Sequence, residues 1–515
     1  MAENVIVFPG ASLGDRPEIQ VNAGDIHRTA TAAEDALLDA GAPFFVRGGI
    51  VRPVIDDLPA THGCRTKVAR LVEVDCNTMI DYFSRCANWV KYDGRKKGLS
   101  RINPPKDVAL TLLSRDGEWR FQRLTGVITT PTLRPDGTIL SQPGYDEQTH
   151  LLLLSPPEMP EIPEVLSKAD AARALALLDG LLDEFPFVDE VSRSVALSAL
   201  ITPVARGAMQ TAPMHAFSAP SPGSGKSFLG DLVGAITIGS RTPVLSVDKK
   251  AEETEKRLIG ALISGMPLIA IDNVNGELGG DLLCQMIERP IVSVRALGSS
   301  ELTSIESRAC VFATGNNIRL VGDMTRRVVL CRLDPNMERP ELRQFKKSPF
   351  DLILSDRGRF IAAALTVVRA YAQAGYPGKL PALASFEDWS RIVRSALVWL
   401  EQPDPALSME LAREDDPDTT ALRTVLIGMK DAMGLGWRSS AEIKALAEER
   451  MFDSLSRPDL NQALRSVAEN RRGDIDALRI GHFLTKFKGR VAGGLKLRSQ
   501  DDNHSKVKLW SVEQV

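Results

Sequence analysis

Residues 215 to 227 read His-Ala-Phe-Ser-Ala-Pro-Ser-Pro-Gly-Ser-Gly-Lys-Ser, a short strand running into a glycine-bearing turn, with an apolar helix expected from Phe228. A triphosphate needs a cradle of backbone N–H groups, a lysine for its β and γ oxygens, and a hydroxyl for Mg²⁺. Gly223, Ser224, Gly225, Lys226 and Ser227 supply all three, at the start of a helix whose dipole favours anions. The pattern G-x-x-x-x-G-K-S/T calls for glycine at 220, where this chain has Pro220, and Pro222 also lacks an N–H. The stretch reads as a variant phosphate loop, and ATP with Mg²⁺ is the expected ligand.

About 45 residues beyond Lys226, Pro267-Leu268-Ile269-Ala270-Ile271 forms a buried-strand run ending in Asp272-Asn273. A carboxylate at the end of such a strand holds Mg²⁺ beside the phosphate loop, so Ser227 and Asp272 are the metal candidates. Asn273 stands where a glutamate would polarise the attacking water. Glu253, in Ala-Glu-Glu-Thr-Glu (251–255), is the substitute considered, against a solvated first helical turn. A third strand, Val311 to Ala313, leads to Thr314-Gly315-Asn316-Asn317, whose Asn316 amide suits a γ-phosphate or a lytic water. Gly322-Asp323-Met324-Thr325-Arg326-Arg327 follows, before the strand Val328-Val329-Leu330. One of these arginines is expected to stabilise transition-state charge on a neighbouring subunit's nucleotide, which requires an oligomer.

The elements that must position these groups alternate β-like and α-like from about 212 to 335, the signature of a parallel α/β sheet. Two Ala- and Leu-rich helical patterns precede it (166–208), split at Phe185-Pro186-Phe187. The prolines 156, 157, 160 and 163 mark a linker from an N-terminal α+β region. Five regions are expected: an α+β domain (1–158), a helical collar (159–210), the ATPase core (211–345), a helical region and linker (346–420) and a C-terminal domain (421–515). At 515 residues, 43% hydrophobic and 25% charged, the composition is that of an ordinary soluble protein. Six cysteines contain no C-x-x-C pair, which supports neither a zinc ribbon nor a disulfide framework. No signal-like leader or membrane-length apolar run is visible, so a cytoplasmic location without membrane contact is expected. A net charge of −3 places any nucleic-acid contact in local patches.

The order phosphate loop, Asp272-Asn273, Thr-Gly-Asn316-Asn317 and Asp323-x-x-Arg326-Arg327 resembles the AAA+ helicases of phages, plasmids and integrated elements. These are similar to superfamily 3 and to the helicase part of poxvirus-type primase-helicases. The resemblance is firm over about residues 160 to 345 and extends weakly upstream through Gly126 to Asp146. It implies an ATP-hydrolysing hexameric DNA helicase or translocase for replication of such an element, acting on single-stranded or forked DNA. In it Asn316 would be the sensor, and Arg327, eleven residues later, the finger in preference to Arg326. Pro220 and Asn273 depart from the family pattern. The rivals are a helicase loader and a nucleotide-dependent DNA-binding regulator, each also AAA+.

DNA contacts are sought in three places. Ile291 to Arg295, followed by Leu297 to Glu301, reads as a hairpin of the kind related helicases project into the ring's pore, with Arg295 the phosphate-gripping candidate. At the C-terminus, helical patterns from Ser439 to about 450, 458 to 470 and Ile475 to Lys488 lead into a β-like pair, matching a winged helix. Arg479, Lys486, Lys488, Arg490, Lys496, Arg498, Lys506 and Lys508 make that end locally basic. Residues 91 to 106 are also basic, with Trp89 and Tyr92 placed to stack on unpaired bases. Glu73 and Asp75 are the carboxylate pair inspected for polymerase chemistry. Lacking a zinc motif or a second metal cluster beside them, the chain is expected to rely on a separate primase.

Overall fold

The computed structural model describes residues 16–59, 65–246, 251–295, 302–343, 346, 348–414, 416–452, 454–501 and 507–515. The chain divides into two compact units, one of Met1–Ile318 with Arg327–Ser408, the other of Arg319–Arg326 with Met409–Val515.

The centre of the first unit is a five-stranded sheet. Its strands are β1 (Met214–Ala219), β2 (Val244–Ser246), β3 (Leu268–Leu278), β6 (Cys310–Leu320) and β7 (Val328–Arg332). The spatial order is β2-β3-β6-β1-β7; β1 runs parallel to both β6 and β7, and β2 parallel to β3. Parallel strands need crossover connections: α1 (Lys226–Ile238) joins β1 to β2, α2 (Ala251–Ile263) joins β2 to β3, and α3 (Asp281–Glu288) follows β3. Every residue of β1 is buried, which is why it reads as a continuous run without alternation. Inserted between α3 and β6 is an antiparallel hairpin, β4 (Ile291–Arg295) with β5 (Leu302–Glu306).

The helical patterns upstream become Lys168–Asp179 and Glu190–Ala205. The first opens with a capping box between Ser167 and Asp170, and Asp189 caps the second through Ser192. Glu190–Ala205 is buried over most of its length and packs on the sheet. There Ser198 Oγ meets His215 Nε2 at 2.9 Å. His215 is completely enclosed, stacked on Phe312, and burial lowers its pKa to about 3, so it is neutral structural filling.

Two expectations for the N-terminal region need correction. Trp89 is 3% exposed and its indole N–H donates to the Phe83 carbonyl at 3.0 Å, so it belongs to the core and cannot stack on a base. Tyr92, on the same strand Asn88–Asp93, is 59% exposed. The strand Arg65–Glu73 ends before Asp75, which caps the helix Cys76–Cys86 through the Thr78 N–H at 2.7 Å. Glu73 and Asp75 therefore do not form a pair along one strand face; Asp75 is committed to its cap.

The second unit is built on α4 (Pro417–Met433), β8 (Arg438–Ser439), α5 (Ser440–Glu448), α6 (Pro458–Ala468), α7 (Ala477–Lys486), β9 (Leu495–Asp501) and β10 (Lys508–Gln514). Leu422, Val425, Leu426 and Met429 of α4 join one hydrophobic core with Ile443, Leu464, Ile480, Leu484 and Trp510. The three expected helices are present as α5, α6 and α7, with α4 joining them ahead of the β9–β10 hairpin. The division between the units falls inside the acidic stretch 401–420, which is largely helical: a helix spans Leu407–Glu414 and α4 begins at Pro417. The acidic residues that suggested a linker act as helix starts, with Asp416 accepting from the Asp418 and Thr419 N–H groups.

Candidate nucleotide site

The turn after β1 is shaped by glycine at 223 and 225, whose φ angles of 76° and 98° lie in the left-handed region. A side chain at 223 would also meet the Glu341 backbone nitrogen at 2.8 Å. Pro220 and Pro222 sit on the exposed part of the turn, ahead of both glycines. The departure from the usual pattern is therefore placed where no buried N–H is lost. Gly225 leads directly into α1, leaving the first-turn N–H groups of that helix without intrahelical partners.

Lys226 is 8% exposed and folds back over its own loop, donating to the Ser221 carbonyl at 2.8 Å and Ser224 Oγ at 3.0 Å. Burial lowers its pKa below the usual lysine value, with the Asp272 charge pulling the other way. Strand pairing brings the remaining groups to the same edge. In the described β2–β3 register Ser246 stands opposite Asp272, and the β1–β6 register ends at Ala219 opposite Asn316. Ala219 is the last strand residue before the turn, so Asn316 stands level with it. Ser227 Oγ donates to Asp272 Oδ1 at 3.4 Å, and Thr314 Oγ1 donates to the same oxygen.

Asn316 completes the group. Its Oδ1 is sealed from solvent and finds no donor among the described residues. Gly315 explains how two strands approach so closely here, since a Cβ at 315 would lie 2.1 Å from the Val274 carbonyl oxygen. Asn273 turns out of β3 with φ 62° and is exposed. Glu253 pairs with Lys256 one turn along α2 at 2.6 Å.

The paired arginines have opposite environments. Arg327 is 5% exposed; its Nε donates to Glu288 Oε2 at 2.8 Å and its Nη2 bonds the same oxygen, while Ser385 Oγ holds Oε1 at 2.7 Å. That closed arrangement holds the Arg327 guanidinium on Glu288 within its own chain, whereas the sequence expectation has it offered to a neighbouring subunit. Arg326 is 36% exposed along its side chain, with Asp323 at 3.4 Å. It belongs to the second compact unit.

A cavity of about 420 Å³ lies at the turn, lined by Gly223, Ser224, Gly225, Lys226, Ser227, Phe228, Arg241 and Glu341. Thr314, Arg241 and Glu341 escape motif reading. Thr314 leaves a faint trace, since i and i+2 share a strand face and it precedes Asn316 by two. The other two belong to no local pattern. Among the described residues no three His, Cys, Asp or Glu side chains cluster as a metal site. Nor is any described helix long and apolar enough to cross a membrane.

The residues proposed for DNA are dispersed. Arg295 ends β4, exposed and opposite Leu302 in the hairpin register; the segment 297–301 lies outside the described residues. In the second unit Lys486 pairs with Asp418 at 2.6 Å, Arg498 with Glu513 at 3.3 Å, and Arg479 donates to the Glu469 carbonyl. Arg490 lies over the Phe487 ring at 5.4 Å and Lys508 over Trp510 at 5.7 Å. Lys488 and Lys496 make no ion pair among the described residues, and Lys506 lies outside them.

A scan against protein-family models and a search of curated proteins return no match. Among solved structures, the chain is similar to the A form apo structure of the NrS-1 C terminal region, at 10% identity and a TM-score of 0.38, covering 89% of this chain and 96% of that one. A second structure of that region, residues 305–718, gives 10% identity and a TM-score of 0.37 over 94% of this chain and 100% of that one. A JCV helicase bound to a thiazolopyridine-phenoxyphenyl acetamide gives 12% identity and 0.22 over 48% and 74%.

Proposed function

We propose that this protein is an ATP-dependent DNA helicase or translocase, working as a ring-shaped homo-oligomer, a hexamer, in the replication of a phage-like or mobile element. The observation that carries the reading is the convergence of Lys226, Ser227, Thr314 and Asp272 on one edge of a sheet, with the unpartnered Asn316 oxygen at the strand beside them. Numbered along the chain, the sheet strands lie in the order 5-1-4-3-2, so the phosphate loop, Asp272 and Asn316 come from three adjacent strands. In this reading the backbone N–H groups of the turn and Lys226 receive the triphosphate. Ser227 and Asp272 would hold Mg²⁺, which supplies neutralisation of charge on the phosphates. Asn316 Oδ1, being an acceptor, takes an O–H, which fits a water aligned for attack. Arg326, the more exposed of the pair, is the finger given to the next subunit.

DNA would be gripped by the β4–β5 hairpin through Arg295 and by the second unit, a winged helix in this reading, through Lys488, Arg490 and Lys496. Priming falls to a separate enzyme. A second reading, a helicase loader or nucleotide-dependent DNA-binding regulator, is favoured by Asn273, which removes the usual water-activating carboxylate and makes turnover slow.

The deciding experiment is unwinding of forked DNA with ATP, run beside a size measurement with a slowly hydrolysed ATP analogue. Strand separation by an analogue-stabilised ring supports the helicase. ATP turnover without unwinding favours the loader or regulator. Lys226→Ala is expected to lower ATP turnover by about 10²–10³-fold, the scale for removing one electrostatic stabiliser from an active site.

A further inference from the structure

The lining of the cavity at the turn includes an arginine that no motif marks. Arg241 follows α1 and is pinned back onto that helix. Asp231, completely buried within α1, accepts from Arg241 Nη1 through Oδ2 and from the Thr242 N–H through Oδ1 at 3.2 Å. Thr242 Oγ1 in turn donates to the Gly230 carbonyl at 2.6 Å. The turn fits against the helix so closely that a Cβ at Gly234 would meet Thr242 Oγ1 at 2.4 Å. Finally, the guanidinium lies over the Phe350 ring, 4.7 Å from its centre. Salt bridge, turn and ring fix the plane of one side chain that still lines the cavity and keeps 30% of its surface accessible.

Position along α1 says which part of a ligand this group meets. Phosphates are received at the helix N-terminus, beside Lys226. Asp231 lies five residues further on, about 7.5 Å along the axis at 1.5 Å per residue. The arginine it holds is therefore anchored beyond the first turn of α1, not at the N–H groups that open the helix. Phe228 lines the same cavity and stacks on Phe185 at 6.0 Å, giving an apolar face of the kind a nucleobase covers. A planar guanidinium held in place offers a fork of donors to the acceptor atoms of a base or ribose.

We propose that Arg241 is a substrate-binding residue that grips the nucleoside end of the nucleoside triphosphate in the same subunit. The proposal rests on the nucleotide reading of the cavity. Arg241→Gln alone leaves Asp231 buried without its cation, so the informative variant is Asp231→Asn with Arg241→Gln, which removes both charges together. Binding is measured, with Mg²⁺ present, for ATP and for tripolyphosphate, which has the phosphates but neither ribose nor base. The expected result is an ATP Kd raised about tenfold, equivalent to about 1.4 kcal/mol, with tripolyphosphate affinity unchanged. Unchanged ATP affinity overturns the proposal. So does an equal loss for both ligands, which would put Arg241 on the phosphates. Should the double variant fail to fold, Arg241→Lys keeps the charge beside Asp231 and loses the fork. It is expected to weaken ATP selectively in the same two-ligand comparison, and an unaltered ATP-to-tripolyphosphate ratio overturns the proposal. Wild-type protein that binds neither ligand would remove the nucleotide reading itself, an outcome distinct from a variant that binds like wild type.

Discussion

The proposed nucleotide site and the basic C-terminal unit are both visible as residue patterns, yet they differ in how far the pattern survives folding. At the nucleotide site the functional atoms are largely placed by backbone: a left-handed glycine turn, a helix start and the end of a strand ladder. Such geometry is encoded within a few residues of the groups it positions. In the C-terminal unit the pattern is charge, and charge is spent by partners distant in sequence. Lys486 is neutralised by Asp418, 68 residues away, and Arg498 by Glu513 across the hairpin. Counting cations in a segment overstates the positive face, because each pairing is decided by tertiary structure.

The arginine pair sharpens this contrast most strongly. Arg326→Ala is expected to reduce ATP turnover by about 10³-fold or more, the range for an arginine finger, while nucleotide binding and melting temperature stay near wild type. Arg327→Ala is expected to act on folding, costing about 3–5 kcal/mol because Glu288 is left without its cation; denaturant unfolding measures it. A folded Arg327→Ala protein with wild-type stability and lost turnover would restore Arg327 as the finger.

Next in size is a pH effect on the core of the first unit. His215 has its pKa lowered from 6.5 to about 3 by burial, so the unfolded chain binds a proton that the folded one refuses. Stability is full above pH 6.5 and falls as pH drops from 6.5 toward 3, by about 1.36 kcal/mol per unit. At pH 5 the cost is about 2 kcal/mol. Unfolding midpoints at pH 7 and pH 5 should diverge less for His215→Gln than for wild type. Equal divergence would show that the imidazole titrates elsewhere than in the closed core.

The smallest effect tests the charge argument itself. Lys488→Ala with Arg490→Ala is expected to lower the slope of log affinity against log salt for DNA by about 1–2, near 0.9 for each phosphate no longer neutralised. Lys486→Ala, already paired with Asp418, should change it by less. Equal slopes for the two variants would mean that DNA displaces the internal partner.

Legibility follows the same division. The sheet alternation, the phosphate turn, Asp272 and Asn316 are readable because hydrophobic runs and glycine positions are local constraints. Arg241 is not, because its importance comes from a buried carboxylate ten residues earlier and from Phe350, more than a hundred residues later. Trp89 misleads for a related reason: an aromatic beside lysines looks like a stacking platform until its indole N–H is seen to be used by Phe83. The start of α4 reads as linker because an acidic, proline-bearing stretch resembles solvated chain, although Asp416 and Pro417 are also what a helix N-terminus prefers.

The missing side chain at 315 also has a mechanical meaning. With Val274's oxygen occupying the space a Cβ would need, the strands bearing Asp272 and Asn316 meet there backbone against backbone. A side chain at 315 would therefore act as a wedge between the strand that carries the carboxylate and the strand that carries the amide.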